Sequence, residues 1–313
     1  MLALCGGVGG AKLALGLYRV LPPGRLVIAA NTGDDFEHLG LHISPDLDTV
    51  MYTLAGIENP ETGWGRAEES WSFMRSLGTL GGETWFRLGD NDLATHVERT
   101  RRLRSGESLT RITAAFAARL GIAATLLPMS DDPVRTLVDT TEGRLEFQHY
   151  FVRLRCAPAV RGIGFAGAAQ ARPNPALLAA LRARDLSAVV ICPSNPYLSV
   201  DPILALPGIR EALAGCPAPI VVVSPLIGGA AVKGPTAKIM RELGIPQTQE
   251  AIARHYDGLV DGLVVDAADA TQAPSLKLPV EVTRTLMRDL ADRETLARAV
   301  LAFAVRLGRK ARR

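Results

Sequence analysis

Leu2-Ala-Leu-Cys-Gly-Gly-Val-Gly-Gly-Ala-Lys12 is the stretch that most restricts the folds open to this chain. A short apolar run reads as a buried strand, and the residues from Ala11 to Leu21 carry helical periodicity. Between them Gly6, Gly7, Gly9 and Gly10 allow a tight turn with backbone N–H groups bare at a helix N-terminus, an arrangement suited to phosphate, with Lys12 in the first helical turn. No Gly-Lys-Ser/Thr follows, so it is not a Walker A loop, and the spacing is not that of a dinucleotide fingerprint. A glycine-tolerant turn with no ligand stays open at this stage.

Strand and helix signals then alternate in the rhythm of a parallel sheet. Strands are expected at Leu26 to Asn31, Ala188 to Cys192, Ile220 to Ser224 and Gly262 to Asp266, with helices from Asp46, over 67–77, 92–103, 109–120, 175–183 and 292–307. Strand ends run into Asn31-Thr-Gly-Asp-Asp35-Phe-Glu-His38, Pro193-Ser194-Asn195-Pro196 and Pro225-Leu-Ile-Gly228-Gly229, and a further helix is expected near Lys233. Ligands of open α/β sheets bind beyond the carboxyl ends of the strands. The fold class is therefore α/β: one Rossmann-like, doubly wound, mainly parallel domain over 1–313. Strands at 123–129, 135–140 and 145–151 break the rhythm and predict a smaller inserted α/β subdomain at about 123–172.

The 313 residues carry a formal charge of +3, part of it in the basic 308–313 tail, which points away from nucleic acid. Prolines interrupt the apolar runs, so no membrane partner is expected. Four scattered cysteines without a paired spacing predict buried thiols in a reducing, cytoplasmic setting. We expect a homodimer acting on small molecules.

Asp35, Asp46, Asp48, Asp90 and Asp92 are more carboxylates than a core needs near two strand ends. Beside a phosphate loop, the Asp46-Leu-Asp48 pair suits Mg²⁺, which takes one or two carboxylates plus substrate phosphates and water, and so fits metal-assisted phosphoryl transfer. Asp46 and Asp92 read equally well as helix N-caps. His38 and His96 are candidate bases or phosphate-orienting groups, or polar structural residues; Arg87 is a phosphate clamp or a solvated charge. No nucleophile elbow or activated cysteine is present, which disfavours a covalent acyl mechanism.

Taken together, Gly6 to Lys12, Asn31 to Asp35, Ser44 to Thr49, Leu88 to His96, Leu127 to Pro133, Pro193 to Pro196 and Ser224 to Gly228 resemble the 2-phospho-L-lactate transferase family of coenzyme F420 biosynthesis. The resemblance implies a phosphotransferase that moves a phospho-lactyl-type group from a guanosine diphosphate-linked donor to the hydroxyl of the deazaflavin Fo, with Mg²⁺ present and GMP released. It implies that Asp46 and Asp48 bind metal and place the Fo hydroxyl, that Arg87 lies near the Fo chain, and that Gly6 to Lys12, Ser194, Asn195 and Gly228 hold the donor. Asn31, Asp35, His38, Asp90 and His96 complete the expected substrate site. Asn91 stands where the family pattern leads us to expect Arg, which leaves the donor open among 2-phospholactyl, phosphoenolpyruvyl and 3-phosphoglyceryl forms. A related gluconeogenesis-factor group, which binds a nucleotide sugar for regulation, is the alternative. A nicotinamide dehydrogenase would need an acid where Asn31 ends the second strand.

Overall fold

The computed structural model describes residues 1–231 and 234–308; Lys233 and the tail beyond Gly308 lie outside the described residues. Seven strands make the central sheet: β1 (Leu2–Cys5), β2 (Val27–Ala30), β3 (Thr125–Pro128), β4 (Val189–Ile191), β5 (Ile220–Val223), β6 (Gly262–Asp266) and β7 (Val280–Thr283). Their order is β7-β6-β5-β4-β1-β2-β3, every pair parallel. The doubly wound arrangement expected above is thus present, with one more parallel strand at the β6 edge. Strand order reverses between β1 and β4, and such a switch point opens a crevice at the strand ends.

The strands are short and apolar because both faces are covered. Leu2, Leu4, Val189 and Ile191 point into one buried cluster, and Ala3, Cys5, Ala14 and Val190 into the other. Helix α1 (Gly7–Val20) begins inside the glycine run, four residues before the apolar periodicity, because the glycines themselves take up its first turn. Gly16 lets α1 approach the closing helix Leu290–Leu307 closely: a Cβ there would lie 2.1 Å from the Arg293 carbonyl oxygen. Helix α2 (Pro45–Ala55) has Ser44 in the N-cap position and Pro45 in its first turn, so Asp46 lies inside the helix and is not its cap. Helix α3 spans Ser72–Thr79 and α4 Asp90–Arg104. The expected helix at 67–77 starts late, since the chain at 57–70 forms turns closed by a Glu58–Arg66 bridge.

The inserted region differs from expectation in two places. Thr125–Pro128 pairs with β2 and belongs to the main sheet, so the insertion starts after it. Strands Arg135–Thr140, Gly143–Glu146 and Val160–Ala166 then form an antiparallel sheet of three, and the stretch read as strand to Phe151 is a π-helix over His149–Arg153. No helix among the described residues is long and apolar enough to cross a membrane.

Candidate active site

A cavity of about 810 Å³ opens at the switch point, beyond the carboxyl ends of several strands. From β1 come Gly6, Gly7, Gly9 and Lys12; from β4, Ser194 and Asn195; from β5, Ser224 and Ile227. The first two loops are latched together by Ser194, whose hydroxyl accepts from Gly6 N at 3.1 Å and donates to Gly6 O at 2.9 Å. Side chains have no room in this joint: a Cβ on Gly9 would stand 2.4 Å from the Pro193 carbonyl oxygen, and one on Gly6 would stand 2.4 Å from Asp46 Oδ2. Asn195 turns its carbonyl oxygen to the N–H groups of Tyr197 and Leu198, while its buried Nδ2 has no partner among the described residues, a donor available to a ligand. Lys12 lies at the wall with Nζ 3.0 Å from the Met287 carbonyl oxygen.

The acidic part of the cavity comes from the β2 end and α2. Asp46 accepts from Gly7 N at 2.7 Å and from Asn31 Nδ2 at 2.9 Å. Burial pushes its carboxyl up to about 6, although those two hydrogen bonds pull the other way. Asp34, also on the lining, is raised by burial and by the Asp46 charge, and its Oδ1 has no hydrogen-bond partner among the described residues. Two buried carboxylates, one with an unused oxygen, are a charge arrangement that a cation relieves. Among the described residues no three or more His, Cys, Asp or Glu could hold a metal by themselves. Mg²⁺ typically needs only one or two carboxylates when substrate phosphates supply the rest.

Asp48 lines the cavity beside Asp46 and has a cation of its own. Both its oxygens engage the guanidinium of Arg99, with Nη1 to Oδ2 at 2.9 Å and a second, shorter contact between Nη2 and Oδ1. Its charge is thereby balanced by a cation within the protein. Arg99 is 1% exposed; burial disfavours its charge, but Asp48 outweighs burial and raises its pKa. His96 Nδ1 lies 3.3 Å from Arg99 Nη1 and its Nε2 3.3 Å from Asp92 Oδ2. Asp92 also accepts from the Tyr52 hydroxyl at 2.7 Å; burial would raise its carboxyl, but the neighbouring His96 outweighs it and brings it below the usual range. This chain of groups ties α2 to α4. Arg99 and Tyr52 were missed in the sequence, although Asp92, His96 and Arg99 share one face of α4 at steps of four and three.

Six expected binding residues do not line the cavity. Asp35 accepts from Ser44 Oγ at 2.7 Å and contacts His42 Nε2 at 3.1 Å. His38 packs edge-on to Trp85 at 5.1 Å, and burial lowers its pKa, favouring the neutral ring. Asp90 receives the N–H groups of Ser72 and Phe73 at the start of α3, a structural cap. Gly10 abuts the Ser194 loop, where a Cβ would lie 2.5 Å from Ser194 Oγ; Gly228 N donates to Asp269. Asn31 is likewise fully buried and acts by holding Asp46. Asn91 is exposed at the start of α4, donating to Glu69 and Glu68, and the cavity lining does not include it. Arg87 does line the cavity, its guanidinium 4.1 Å from the Trp71 ring centroid. Trp64, Trp85, Phe86 and Phe147 make the remaining wall largely aromatic.

The sequence model of the family described as 2-phospho-L-lactate transferase matches residues 1–304. Phosphoenolpyruvate transferase of Kitasatospora aureofaciens is 42% identical over 314 residues, with 97% of each chain covered. The protein of the same name from Streptomyces griseus is 41% identical, covering 97% of this chain and 98% of that one, and the one from Mycobacterium sp. (strain KMS) is 38% identical, covering 96% and 97%. Among solved structures, a member of the UPF0052 family from Bacillus halodurans superposes with a TM-score of 0.63 at 15% identity, over 96% of this chain and 97% of that chain, a likeness of fold.

Proposed function

The chain belongs to the 2-phospho-L-lactate transferase family and is a transferase of coenzyme F420 biosynthesis, and from that premise we propose that it moves a phosphoenolpyruvyl group from a guanosine diphosphate-linked donor to the hydroxyl of Fo, releasing GMP. The observation that carries this reading is the joining of a glycine turn, buried carboxylates and an aromatic wall around one cavity of about 810 Å³, a lining that suits a nucleotide beside a flat acceptor. The phosphoenolpyruvyl donor, among the three forms open from sequence, is taken from the names of the relatives.

In this proposal Gly7, Gly9 and the Asn195 amide hold the diphosphate, and Asp46 with Asp34 holds Mg²⁺ against it. The metal supplies Lewis acidity at the phosphoryl oxygens. Asp48, fixed by Arg99, receives the ribityl hydroxyls of Fo, and the deazaflavin ring packs on Trp85 and Phe86. The hydroxyl oxygen attacks the acyl-side phosphorus in line as its proton passes to water, the bond from phosphorus to the GMP oxygen breaks with GMP leaving, and no residue is modified. The test is a product assay with Fo, Mg²⁺ and each of the three donors. Formation of the phosphoenolpyruvyl-Fo adduct with equimolar GMP supports the reading; turnover of none of the donors, with tight binding of a nucleotide sugar instead, overturns it.

A further inference from the structure

The chain from Phe147 to Pro158 crosses between the two sides of the cavity. Gln148 Nε2 donates to the Asp34 carbonyl oxygen at 3.3 Å on the carboxylate side, while Lys238 Nζ, in the helix that follows Gly234, donates to the Pro158 carbonyl oxygen at 3.0 Å. Two uncommon backbone features occur within this crossing. The π-helix over His149–Arg153 is one; such wide turns are rare and frequent at functional sites. The other is the pair Arg155 and Cys156, at φ 48° and 57°, the only adjacent non-glycine residues with left-handed φ among the described residues. L side chains disfavour that region, and it persists where surrounding bonds impose it. Here Cys156 N donates to Tyr150 O, and Leu154 N to His149 O, both at 2.9 Å.

That strained turn delivers one side chain to the cavity. Arg155 is on the lining, and its guanidinium makes no hydrogen bond, ion pair or ring contact with the described residues. The cavity's carboxylates, Asp34, Asp46, Asp48 and Asp92, belong to the β2, α2 and α4 side. Arg155 is followed by Cys156 to Pro158, and the Pro158 carbonyl oxygen meets Lys238, which lies two residues beyond the cavity-lining stretch Gly234 to Thr236. A guanidinium held there has an anion as its natural complement, and its planar fork suits phosphate or carboxylate oxygens. We propose that Arg155 binds the donor through a charge-assisted hydrogen bond to an anionic oxygen, either of the diphosphate or of the acid it carries, and that the left-handed turn exists to aim it. This rests on the proposed reading of the cavity as a guanosine-linked donor site.

The test compares wild type with Arg155→Lys, Arg155→Gln and Arg155→Gly by initial-rate kinetics and by calorimetric titration with GDP alone. Arg155→Gln is expected to raise the donor KM about tenfold or more and the Fo KM less than about twofold, with Arg155→Lys between the two. Glycine suits this φ, so Arg155→Gly should raise Tm while losing the same affinity, and a loss accompanied by a higher Tm cannot be misfolding. A matching loss of GDP affinity assigns the contact to the diphosphate; unchanged GDP affinity with a raised donor KM assigns it to the acid. Unchanged donor KM and GDP affinity, or equal rises in both KM values, overturn the inference. If the wild type turns over no donor, the functional reading falls, and the GDP titration decides the role of Arg155: weaker binding to Arg155→Gln keeps it, unchanged binding overturns it.

Discussion

Arg99 is the residue on which the buried charge of Asp48 depends. It neutralises Asp48 and stands beside His96 without access to water, so truncation would leave a carboxylate buried without its partner. Arg99→Ala is expected to cost about 3–5 kcal/mol in denaturant unfolding, the range for breaking a buried pair from one side. A loss under about 1 kcal/mol would mean that Asp48 finds water or another partner. Gly9 makes a different kind of demand, steric and confined to the joint with Pro193. Gly9→Val should raise the donor KM well above the Fo KM, because the side chain displaces the phosphate turn; equal rises in the two would point to general misfolding. Asp46 reads equally well as a helix cap until Ser44 is found in that position and Asp46 inside the first turn, whereas the glycine turn was legible from sequence because its chemistry is local. Arg99 was not, because an arginine among Arg101, Arg102 and Arg104 reads as solvated until the Asp48 side of α2 is laid against it.

Among elements, α1 has two ends with separable duties. Its glycine-rich N-terminus faces the cavity, whereas Gly16 accepts the backbone of the closing helix near Arg293. Gly16→Val should therefore cost about 1–3 kcal/mol from overpacking and leave both KM values unchanged in the protein that folds. A shift in the donor KM would show that strain runs along α1 into the phosphate turn. The strands of the main sheet could be read from apolar runs flanked by polar loops, since both-face burial leaves that mark. The π-helix at His149–Arg153 could not: its apolar Tyr150, Phe151 and Val152 continue a hairpin pattern, and only docking of Tyr150 and Gln148 against Lys238 and Asp34 gives the wider turn its place. Val280–Thr283 escaped notice because an edge strand is only half covered and carries a weak apolar signal.

For the whole molecule, the buried carboxylates couple stability to pH. The Asp46 carboxyl is raised from 3.8 to about 6, so between those values the folded chain holds more protons than the unfolded one. Stability then falls as pH rises through that window, and the raised Asp34 carboxyl acts with the same sign. Asp92, whose carboxyl is lowered, contributes in the other direction but only below pH 3.8. Mg²⁺ is accordingly expected to raise Tm more at pH 7 than at pH 5, where protons compete for the same oxygens; an equal effect at both would remove Asp46 from the metal site. Donor and acceptor are expected to meet in one cavity and to react without a covalent intermediate. Initial rates measured over a grid of donor and Fo concentrations test it most directly. Intersecting double-reciprocal lines are the predicted result, since both substrates must be bound before phosphorus is attacked; parallel lines, with a phosphorylated residue trapped in the absence of Fo, would contradict it.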